Sequence, residues 1–304
     1  KNKILLIENF IKSLLILLFI IFIDSSIQFI TQTNLLGYYS GHEGRVSSLF
    51  FDEWVLGSFS VRVFLIIIPI CLKLYNKTIL SFFAFVLILL LVLASGERTA
   101  TALILIYTFF YLFFVFKNYK TKIIIITSLV ILSSSILFFN EHLRKRIITN
   151  TIINFHHSEN FNIVLFSQPH SEHYQTGLKM FKDSYLFGQG PKMFRIKCSD
   201  KKYNSGQFSC GTHPHNILIQ FLAEFGLVGL IFLLIFYIYL GIYFIKVYRL
   251  KNDYYNIPFL ILSISVFINF FPFFPYGNFL NNWLSIMNIL SISLLGYFYS
   301  DSSK

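Results

Sequence analysis

The chain has 304 residues, of which 55% are hydrophobic and only 13% are charged, and its formal net charge is +11. Because a soluble domain has about a quarter of its residues charged, this composition excludes an ordinary soluble protein and favours a membrane protein. The basic residues occur in short clusters between apolar runs, which is the positive-inside pattern of membrane topology, so the charge does not indicate nucleic acid as a partner.

Eight apolar runs reach or approach the length that crosses about 30 Å of hydrocarbon as a helix. They are residues 4–23, 55–74, 79–94, 100–116, 123–139, 227–247, 257–271 and 283–299. We therefore predict an all-α polytopic membrane protein with about eight transmembrane helices and a long, partly helical outer loop. No cleavage site of a signal peptide follows the first run. The chain opens on Lys1 rather than Met, and we expect the natural protein to begin earlier, with further spans.

The short basic loops predict the sidedness of these spans. They contain Lys73 and Lys77, then Lys117, Lys120 and Lys122, then Lys246, Arg249 and Lys251. If successive spans alternate in direction, all three loops and the Lys1 end fall on the same side of the membrane, which is then the cytoplasmic side. The connections 24–54, 95–99, 140–225 and 272–282 then face outward.

This topology predicts three regions along the chain. Residues 1–139 form five transmembrane helices with the outer segment 24–54. Residues 140–226 form a loop domain that ends in an amphipathic helix, and residues 227–304 form three transmembrane helices and a short cytoplasmic tail. Within the loop domain we expect a helix around 175–187, a turn at 188–191 and a second helix over 214–225, where apolar residues recur at helical spacing.

Arg45, Arg62 and Arg98 fall on the outward side or within the outer part of a helix, where the topology rule disfavours them. Arg62 lies about two turns into the second run, and an intramembrane charge costs several kcal/mol unless it is paired. Its partner is either Asp52 or Glu53, or a ligand diphosphate, whose oxygens match the guanidinium fork. Arg45 and Arg98 allow the same interpretation, and the alternative for each is a side chain that snorkels to the interface.

His213 and His215 precede the apolar helix that leads into the sixth span. One interpretation is a pair of solvated loop histidines. Another is a general base, because an ordinary histidine pKa near 6.5 suits proton transfer at neutral pH. A helix start also favours anionic groups. Glu224, on the same helix, is expected to be a solvated carboxylate.

A metal site is the third interpretation of these histidines, since His170, His173, Cys198 and Cys210 lie in the same segment. Their spacing matches no compact zinc pattern, so we predict no metal and no cofactor. On an oxidising outer face, Cys198 and Cys210 are instead expected to form a disulfide.

The ordered motifs resemble those of one family. His215-Asn216, nine residues, Gly226, two residues and Gly229 resemble the signature of the O-antigen ligase and polymerase superfamily of bacterial inner-membrane glycan transferases. The segment 95–99 is similar to that family's Ser-Gly-x-Arg-Thr hinge, although Glu97 stands where a small residue is usual. Segments 27–58 and 181–191 are similar as well, so the likeness covers nearly the whole chain.

This resemblance implies transfer of a glycan from a polyprenyl-diphosphate donor to a sugar hydroxyl on the periplasmic face. The acceptor would be lipid A–core or a growing glycan, in an enzyme surrounded by membrane lipid. The implied roles place His215 as the base, Arg98, Arg62 and Arg45 on the diphosphate, and His213, Asn216, Glu224, Gly226 and Gly229 in support. Two alternatives remain: a repeat-unit polymerase of the same superfamily, and a transporter of lipid-linked glycan, which should carry broken or paired polar helices at mid-membrane.

Overall fold

The regular secondary structure is helical in the part of the chain that the computed structural model describes, which is residues 2–39, 45–75, 78–152, 167–249 and 253–302. The α-helices are α1 (Asn2–Thr31), α2 (Leu56–Val63), α3 (Ile67–Tyr75), α4 (Thr78–Ser95), α5 (Arg98–Val115), α6 (Tyr119–Phe139), α7 (Glu141–Arg144), α8 (Gln168–Asp183), α9 (Phe194–Lys197), α10 (Ile217–Tyr248), α11 (Asp253–Asn269) and α12 (Asn282–Ser302). Such helices satisfy their own backbone hydrogen bonds, as a chain in hydrocarbon must.

Seven helical segments among the described residues are long and apolar enough to cross a membrane. They are Leu5–Thr31, Leu56–Leu74, Thr78–Ser95, Arg98–Val115, Tyr119–Phe139, Ile217–Tyr248 and Asn282–Ser300. The prediction of an all-α polytopic membrane protein is thus confirmed. The predicted run 257–271 is the shorter apolar helix Asn256–Asn269, which at 1.5 Å per residue spans only about 21 Å. Lys1, Lys77, Lys251 and the predicted outer segments over 40–44 and 153–166 lie outside the described residues.

Helix α6 shows how these helices meet their surroundings. Its apolar side chains are largely exposed, with Phe138 at 72% and Phe139 at 85% exposure. A face of this kind would be unfavourable in water and is typical of a helix that contacts lipid.

Helix α1 continues past the predicted run 4–23 to Thr31 because its polar residues find partners. Asp24 is fully buried and accepts a hydrogen bond from the Ser48 hydroxyl at 2.6 Å. Gln28 is also buried and accepts from the Ser48 backbone N–H at 2.6 Å. Since these bonds satisfy buried polar groups, the helix does not need to end where its sequence becomes polar. We call Asp24 and Gln28 the α1 clamp.

The described residues divide into two compact units. The first comprises Lys1–Asn150, Val247–Asn269 and Ser293–Lys304. In it α4 packs against α1, α2, α3 and α5, while α11 packs against α3 and α5. The rings of Phe85, Tyr107 and Tyr111 stack in this core, with centroids 5.0 to 6.5 Å apart.

The second unit comprises Thr151–Lys246 and Phe270–Ile292. Its small core consists of Met180, Phe194, Cys198, Tyr203 and Ala223, all nearly inaccessible. Helix α8 begins at Gln168, earlier than the predicted 175, because Pro169 occupies the first turn, where a proline needs no backbone donor. A disulfide between Cys198 and Cys210 closes the polar excursion that follows.

Candidate functional site

Four histidines meet in the second unit. The ring centroid of His215 lies 4.0 Å from that of His213, 5.1 Å from His173 and 5.4 Å from His170. We call these four side chains the histidine cluster. Among the described residues, no group of three or more His, Cys, Asp or Glu side chains has an arrangement that could hold a metal ion.

Helix α8 supplies two members of the histidine cluster from one face. His170, His173 and Gly177 follow each other at spacings of three and four residues, so they lie on the same side of the helix. A Cβ on Gly177 would come within 2.5 Å of Ile219 Cγ2. The missing side chain therefore lets α8 approach α10 closely enough to bring His170 and His173 to His215.

His213 is fully bonded, and its tautomer follows from its partners. Its Nε2 lies 3.1 Å from the Tyr276 carbonyl oxygen, which can only accept, so Nε2 carries the proton. Its Nδ1 lies 2.8 Å from Thr212 Oγ1 and must accept the hydroxyl hydrogen. With both nitrogens engaged and the side chain 7% exposed, His213 has no lone pair left for a substrate.

His215 differs from His213 in backbone, exposure and bonding. It has a φ of 55°, in the left-handed region that non-glycine residues seldom adopt. Its carbonyl accepts a hydrogen bond from the Tyr276 N–H at 2.9 Å, which holds this conformation. The side chain is only partly buried, and within the described part of the chain its ring nitrogens have no hydrogen-bond partner. The lone pair of His215 is therefore available.

The electrostatics of the cluster keep His213 and His215 neutral. Burial, and then the charge that His213, His170 and His173 would carry if protonated, lowers the pKa of His215 to about 2. Burial is also the main reason that the pKa of His213 falls to about 4. At neutral pH His213 and His215 are uncharged imidazoles, because proton uptake by either one would be opposed by low dielectric and by its neighbours.

Asn216, the partner of His215 in the sequence signature, caps helix α10. Its Oδ1 accepts from the Ile219 N–H at 3.1 Å, which is the N-cap arrangement, and its Nδ2 donates to the Pro272 carbonyl at 2.9 Å. The helix predicted over 214–225 thus starts only at Ile217. The left-handed residue His215 and the cap at Asn216 set this start.

Glu224 is buried, with 1% exposure, so the expectation of a solvated carboxylate was wrong. It accepts from Gln220 Nε2 at 3.0 Å and from the Phe194 N–H at 3.4 Å. The same Gln220 amide donates to Asn278 Oδ1 at 2.8 Å, and its oxygen accepts from the Phe279 N–H at 3.0 Å. This amide therefore joins α10 to the segment before α12.

The glycines of the signature allow two backbones to cross. Gly226 interrupts α10 with φ 65° and ψ −156°, and a Cβ there would lie 2.4 Å from the Leu186 oxygen. Around this break the Gly190 N–H donates to the Glu224 carbonyl at 3.0 Å, and the Val228 N–H donates to the Leu186 carbonyl at 3.1 Å. The predicted turn at 188–191 therefore completes the hydrogen bonds that α10 gives up at its break.

The first unit contains a cluster of arginines at the turn between α4 and α5. Arg45 Nε donates to the Ser95 carbonyl at 3.0 Å, and Arg146 Nε donates to the Gly96 carbonyl at 3.0 Å. Burial, then the charge of Arg146, lowers the pKa of Arg45 to about 10. Burial, then the charge of Arg98, lowers the pKa of Arg146. A Cβ on Gly96 would lie 3.5 Å from side-chain atoms of both Arg45 and Arg146, and Arg98 begins α5 two residues after Gly96. We call these three side chains the arginine cluster.

The α1 clamp and neighbouring contacts place Arg45 in this cluster. The Val46 N–H donates to the Ala94 carbonyl at 3.2 Å, and Gln28 holds the Ser47 N–H at 3.0 Å. The Arg45 guanidinium lies 4.7 Å from the ring centroid of Trp54, a cation–π contact. The segment around Gln28 thus holds the backbone next to Arg45 in place.

Among the described residues, the carboxylate of Glu97 lies beside Arg45 and Arg146, and its oxygens are already engaged in hydrogen bonds. It accepts from the Gly57 N–H at 2.7 Å, the Ser58 N–H at 3.2 Å and the Ser58 hydroxyl at 2.5 Å. These bonds cap the start of α2. They explain why a glutamate stands at position 97, where the family's hinge usually has a small residue. Three cations and one engaged carboxylate leave excess positive charge at this turn.

The sequence reasoning missed Arg146, and the role that it predicted for Arg62 stays a prediction. Arg146 follows the fifth span, so the same parity that singled out Arg45 and Arg98 could have identified it. Arg62 lies in α2 with 4% exposure, and its carbonyl accepts from Asn269 Nδ2 at 3.3 Å. His170 and His173 were considered only as metal ligands, because their position on α8 relative to His215 is not written in the sequence.

These features define a class of protein: a polytopic helical membrane protein with a neutral histidine cluster in one unit and an arginine cluster in the other. A family model described as O-antigen ligase matches residues 83–234, half of the chain. The chain belongs to the O-antigen ligase family. Membership gives it a glycosyltransferase-like role of the ligase or polymerase kind, with lipid-linked glycans as substrates in general. No curated protein matches the chain.

Proposed function

We propose that this protein is an O-antigen ligase-like glycosyltransferase. It moves a glycan from a polyprenyl-diphosphate donor to a sugar hydroxyl, such as one on lipid A–core, at the periplasmic face of the bacterial inner membrane. Residues 140–226 serve as its periplasmic loop domain. The observation that carries this proposal is the difference between His213, whose two ring nitrogens are bonded, and His215, whose nitrogens are not.

In this reaction His215 acts as the general base. The acceptor hydroxyl oxygen bonds to the anomeric carbon of the donor glycan while a ring nitrogen of His215 takes the hydroxyl proton. The bond from that carbon to the diphosphate breaks, and the polyprenyl diphosphate leaves with the electron pair. Since the transferred atoms balance, no oxidant, reductant or cofactor is needed.

The low pKa of His215 fits a base that works beside an anionic substrate. Within the histidine cluster the imidazole of His215 is unprotonated at any physiological pH, but it is also a weak base. An anionic diphosphate bound nearby favours the imidazolium form and raises the pKa, because opposite charges stabilise each other at short range. The base would then gain strength when the donor is bound.

The arginine cluster is suited to the leaving group. Arg45, Arg98 and Arg146 stay charged and offer donors that match phosphate oxygens, and Arg62 adds a buried cation in α2. Two of the three clustered side chains are fixed through Nε to backbone carbonyls. Fixed donors stabilise developing negative charge without reorganisation.

A cavity of about 240 Å³ beside this turn is suited to the first isoprene units of the donor. Its lining is apolar and comes from α1, α4 and α6, with Phe22, Phe29, Leu90 and Ile136 among the residues. Ala94, also in the lining, immediately precedes the turn that carries the arginine cluster. A lipid chain and its diphosphate therefore find apolar and cationic surfaces next to each other.

Replacement of His215 by Ala in the full-length protein tests this function. We expect the rate of glycan transfer to fall by a factor on the order of 10² to 10⁴, which is the usual contribution of a positioned base. The assay is a gel of lipid-linked and lipid A-linked glycan, together with the initial rate for purified protein. Loss of ligation leaves long polymer on the lipid carrier, whereas loss of polymerisation leaves single repeat units attached to the acceptor.

The matched control is His142→Ala, which removes an exposed histidine in α7, outside the histidine cluster. Its transfer rate should stay within about twofold of the wild type, because surface substitutions away from such features have small effects. A normal rate for His215→Ala at normal protein level would exclude His215 as the base. Short products in place of unligated polymer would assign the protein to the polymerase function instead.

A further inference from the structure

A polar cavity of about 200 Å³ lies in the second unit, apart from the residues assigned to catalysis. It is lined by Lys192, Arg195, Asn278, Leu280, Asn281 and Asn282. Lys192 and Arg195 are exposed cations that precede and begin the short helix α9, and the amides come from the segment that leads into α12. The proposed transfer reaction leaves this cavity without a role.

Hydrogen bonds within the walls determine which polar groups remain for a ligand. The Asn278 side-chain oxygen is occupied by Gln220 Nε2 at 2.8 Å and by the Leu280 N–H at 3.0 Å. The Asn281 side-chain oxygen accepts from the Trp283 N–H at 3.3 Å. The Asn278 oxygen therefore uses both of its lone pairs and the Asn281 oxygen uses one, while the NH₂ groups of both side chains remain as donors.

The Asn282 side chain adds a further amide with one acceptor oxygen, so donors outnumber acceptors among the remaining groups of the cavity. Two amide NH₂ groups combine with an ammonium and a guanidinium, neither of which can accept a hydrogen bond. Lys192 also lies near Glu224, a buried carboxylate that is already bonded to Gln220 and the Phe194 N–H. A wall of donors with excess positive charge is complementary to an anion that carries several oxygens.

The cavity is also held in place by the network that supports the catalytic helix. Gln220 and Glu224 lie on α10, which Asn216 caps immediately after His215. Gln220 bonds directly to Asn278 in the cavity wall. Lys192 has a left-handed backbone, with φ 60°, that a lysine rarely adopts. The position of the cavity relative to His215 is therefore fixed within the second unit.

We propose that this cavity binds an anionic sugar of the acceptor, one that bears a phosphate or a carboxylate. The proposal rests on the proposed transferase function, because the acceptor must approach the base. Lys192 and Arg195 bind the anionic group, and the NH₂ groups of Asn278 and Asn281 bind ring hydroxyls or remaining oxygens. The site would select charged acceptor glycans over neutral ones.

The kinetic test uses the double variant Lys192→Gln/Arg195→Gln in the full-length protein. Phosphorylated lipid A–core and the same acceptor after phosphatase treatment are compared. We expect the double variant to raise KM for the phosphorylated acceptor at least about tenfold, since each charge-assisted bond contributes roughly that factor. The kcat and the KM for the lipid-linked donor should stay within about twofold. The matched control Lys201→Gln removes an exposed lysine outside the cavity and should change none of these values.

A binding test that does not need turnover separates this proposal from the transferase proposal. Saturation-transfer NMR measures the binding of glucose 6-phosphate, and of neutral glucose for comparison, to the protein in phosphatidylcholine nanodiscs. We expect a saturation-transfer signal for glucose 6-phosphate that weakens with added salt and is lost in the double variant. If this binding is present but no glycan transfer occurs, the transferase function fails and the anion site stands.

Three results would overturn the anionic-sugar site. One is an unchanged KM for the phosphorylated acceptor in the double variant. Another is an equal rise of KM for the phosphatase-treated acceptor, which would show a general structural effect. The third is displacement of glucose 6-phosphate by phosphatidylglycerol in the nanodiscs, which would assign the cavity to a lipid headgroup.

Discussion

Replacement of Gly226 by Ala tests how α10 and the turn before α9 are built. Gly226 has φ 65° and ψ −156°, a conformation that is nearly restricted to glycine and costs another residue about 1–3 kcal/mol. The added Cβ would lie 2.4 Å from the Leu186 oxygen and 2.6 Å from the Gly188 nitrogen. These are backbone atoms that cannot turn aside, so overpacking adds about 1–3 kcal/mol. The expected destabilisation is therefore about 2–6 kcal/mol.

The same helix contains a matched control. A Cβ on Gly241 would meet nothing within 4 Å, and Gly241 has no positive φ. Gly241→Ala should leave stability unchanged or raise it slightly, because alanine has the better helix propensity. The two variants differ in local backbone geometry and not in the chemistry of the substitution.

The assay is thermal unfolding of the purified protein in detergent, combined with limited proteolysis of the segment around Leu186. Gly226→Ala should melt several degrees below the wild type and be cut faster at this segment. Equal melting of the Gly226→Ala and Gly241→Ala variants would refute the conclusion that the break in α10 requires glycine.

Two further predictions concern the second unit. The first concerns pH. The pKa values of His213 and His215 are lowered to about 4 and about 2, below the ordinary histidine pKa of about 6.5. The contribution of these two neutral side chains to stability is therefore fully present above about pH 6.5 and falls as the pH drops from there towards 4. The wild type should therefore lose melting temperature between pH 7 and pH 5 more steeply than His213→Gln, and equal slopes would show that these histidines do not carry the effect. The second concerns the disulfide: Cys198 and Cys210 are 12 residues apart, so reduction should cost about 3 kcal/mol of stability. The Cys198→Ser/Cys210→Ser variant should melt at the temperature of the reduced wild type, with or without reductant. If reductant still lowers the melting temperature of this variant, the disulfide is not the cause of the effect.

The membrane fold was predictable because its signal is local. Apolar runs of sufficient length indicate spanning helices whatever the rest of the chain does. The boundaries were less predictable because they depend on distant partners. Helix α1 continues to Thr31 since Ser48 bonds to the α1 clamp, and α10 begins at Ile217 since Asn216 caps it. A periodicity argument does not contain these contacts.

The arginines were predictable for a different reason. A charge in an apolar, outward segment departs from the topology rule, so Arg45, Arg62 and Arg98 stand out in the sequence. Arg146 shows the limit of that reasoning. It lies among other basic residues after α6, and only its bond to the Gly96 carbonyl and its repulsion with Arg98 identify it as a member of the arginine cluster.

The choice between His213 and His215 could not be made from composition or spacing, because the two residues share one loop and one residue type. Tyr276, far along the chain, separates them: its carbonyl holds the ring of His213, and its N–H holds the backbone of His215. The left-handed backbone of His215 costs about 1–2 kcal/mol, which the fold must recover elsewhere. A helical or extended residue at this position would avoid that cost. The strain is retained where the ring nitrogens of His215 have no hydrogen-bond partner among the described residues, whereas both ring nitrogens of His213 are bonded, and this difference is the physical reason to propose His215 rather than His213 as the base.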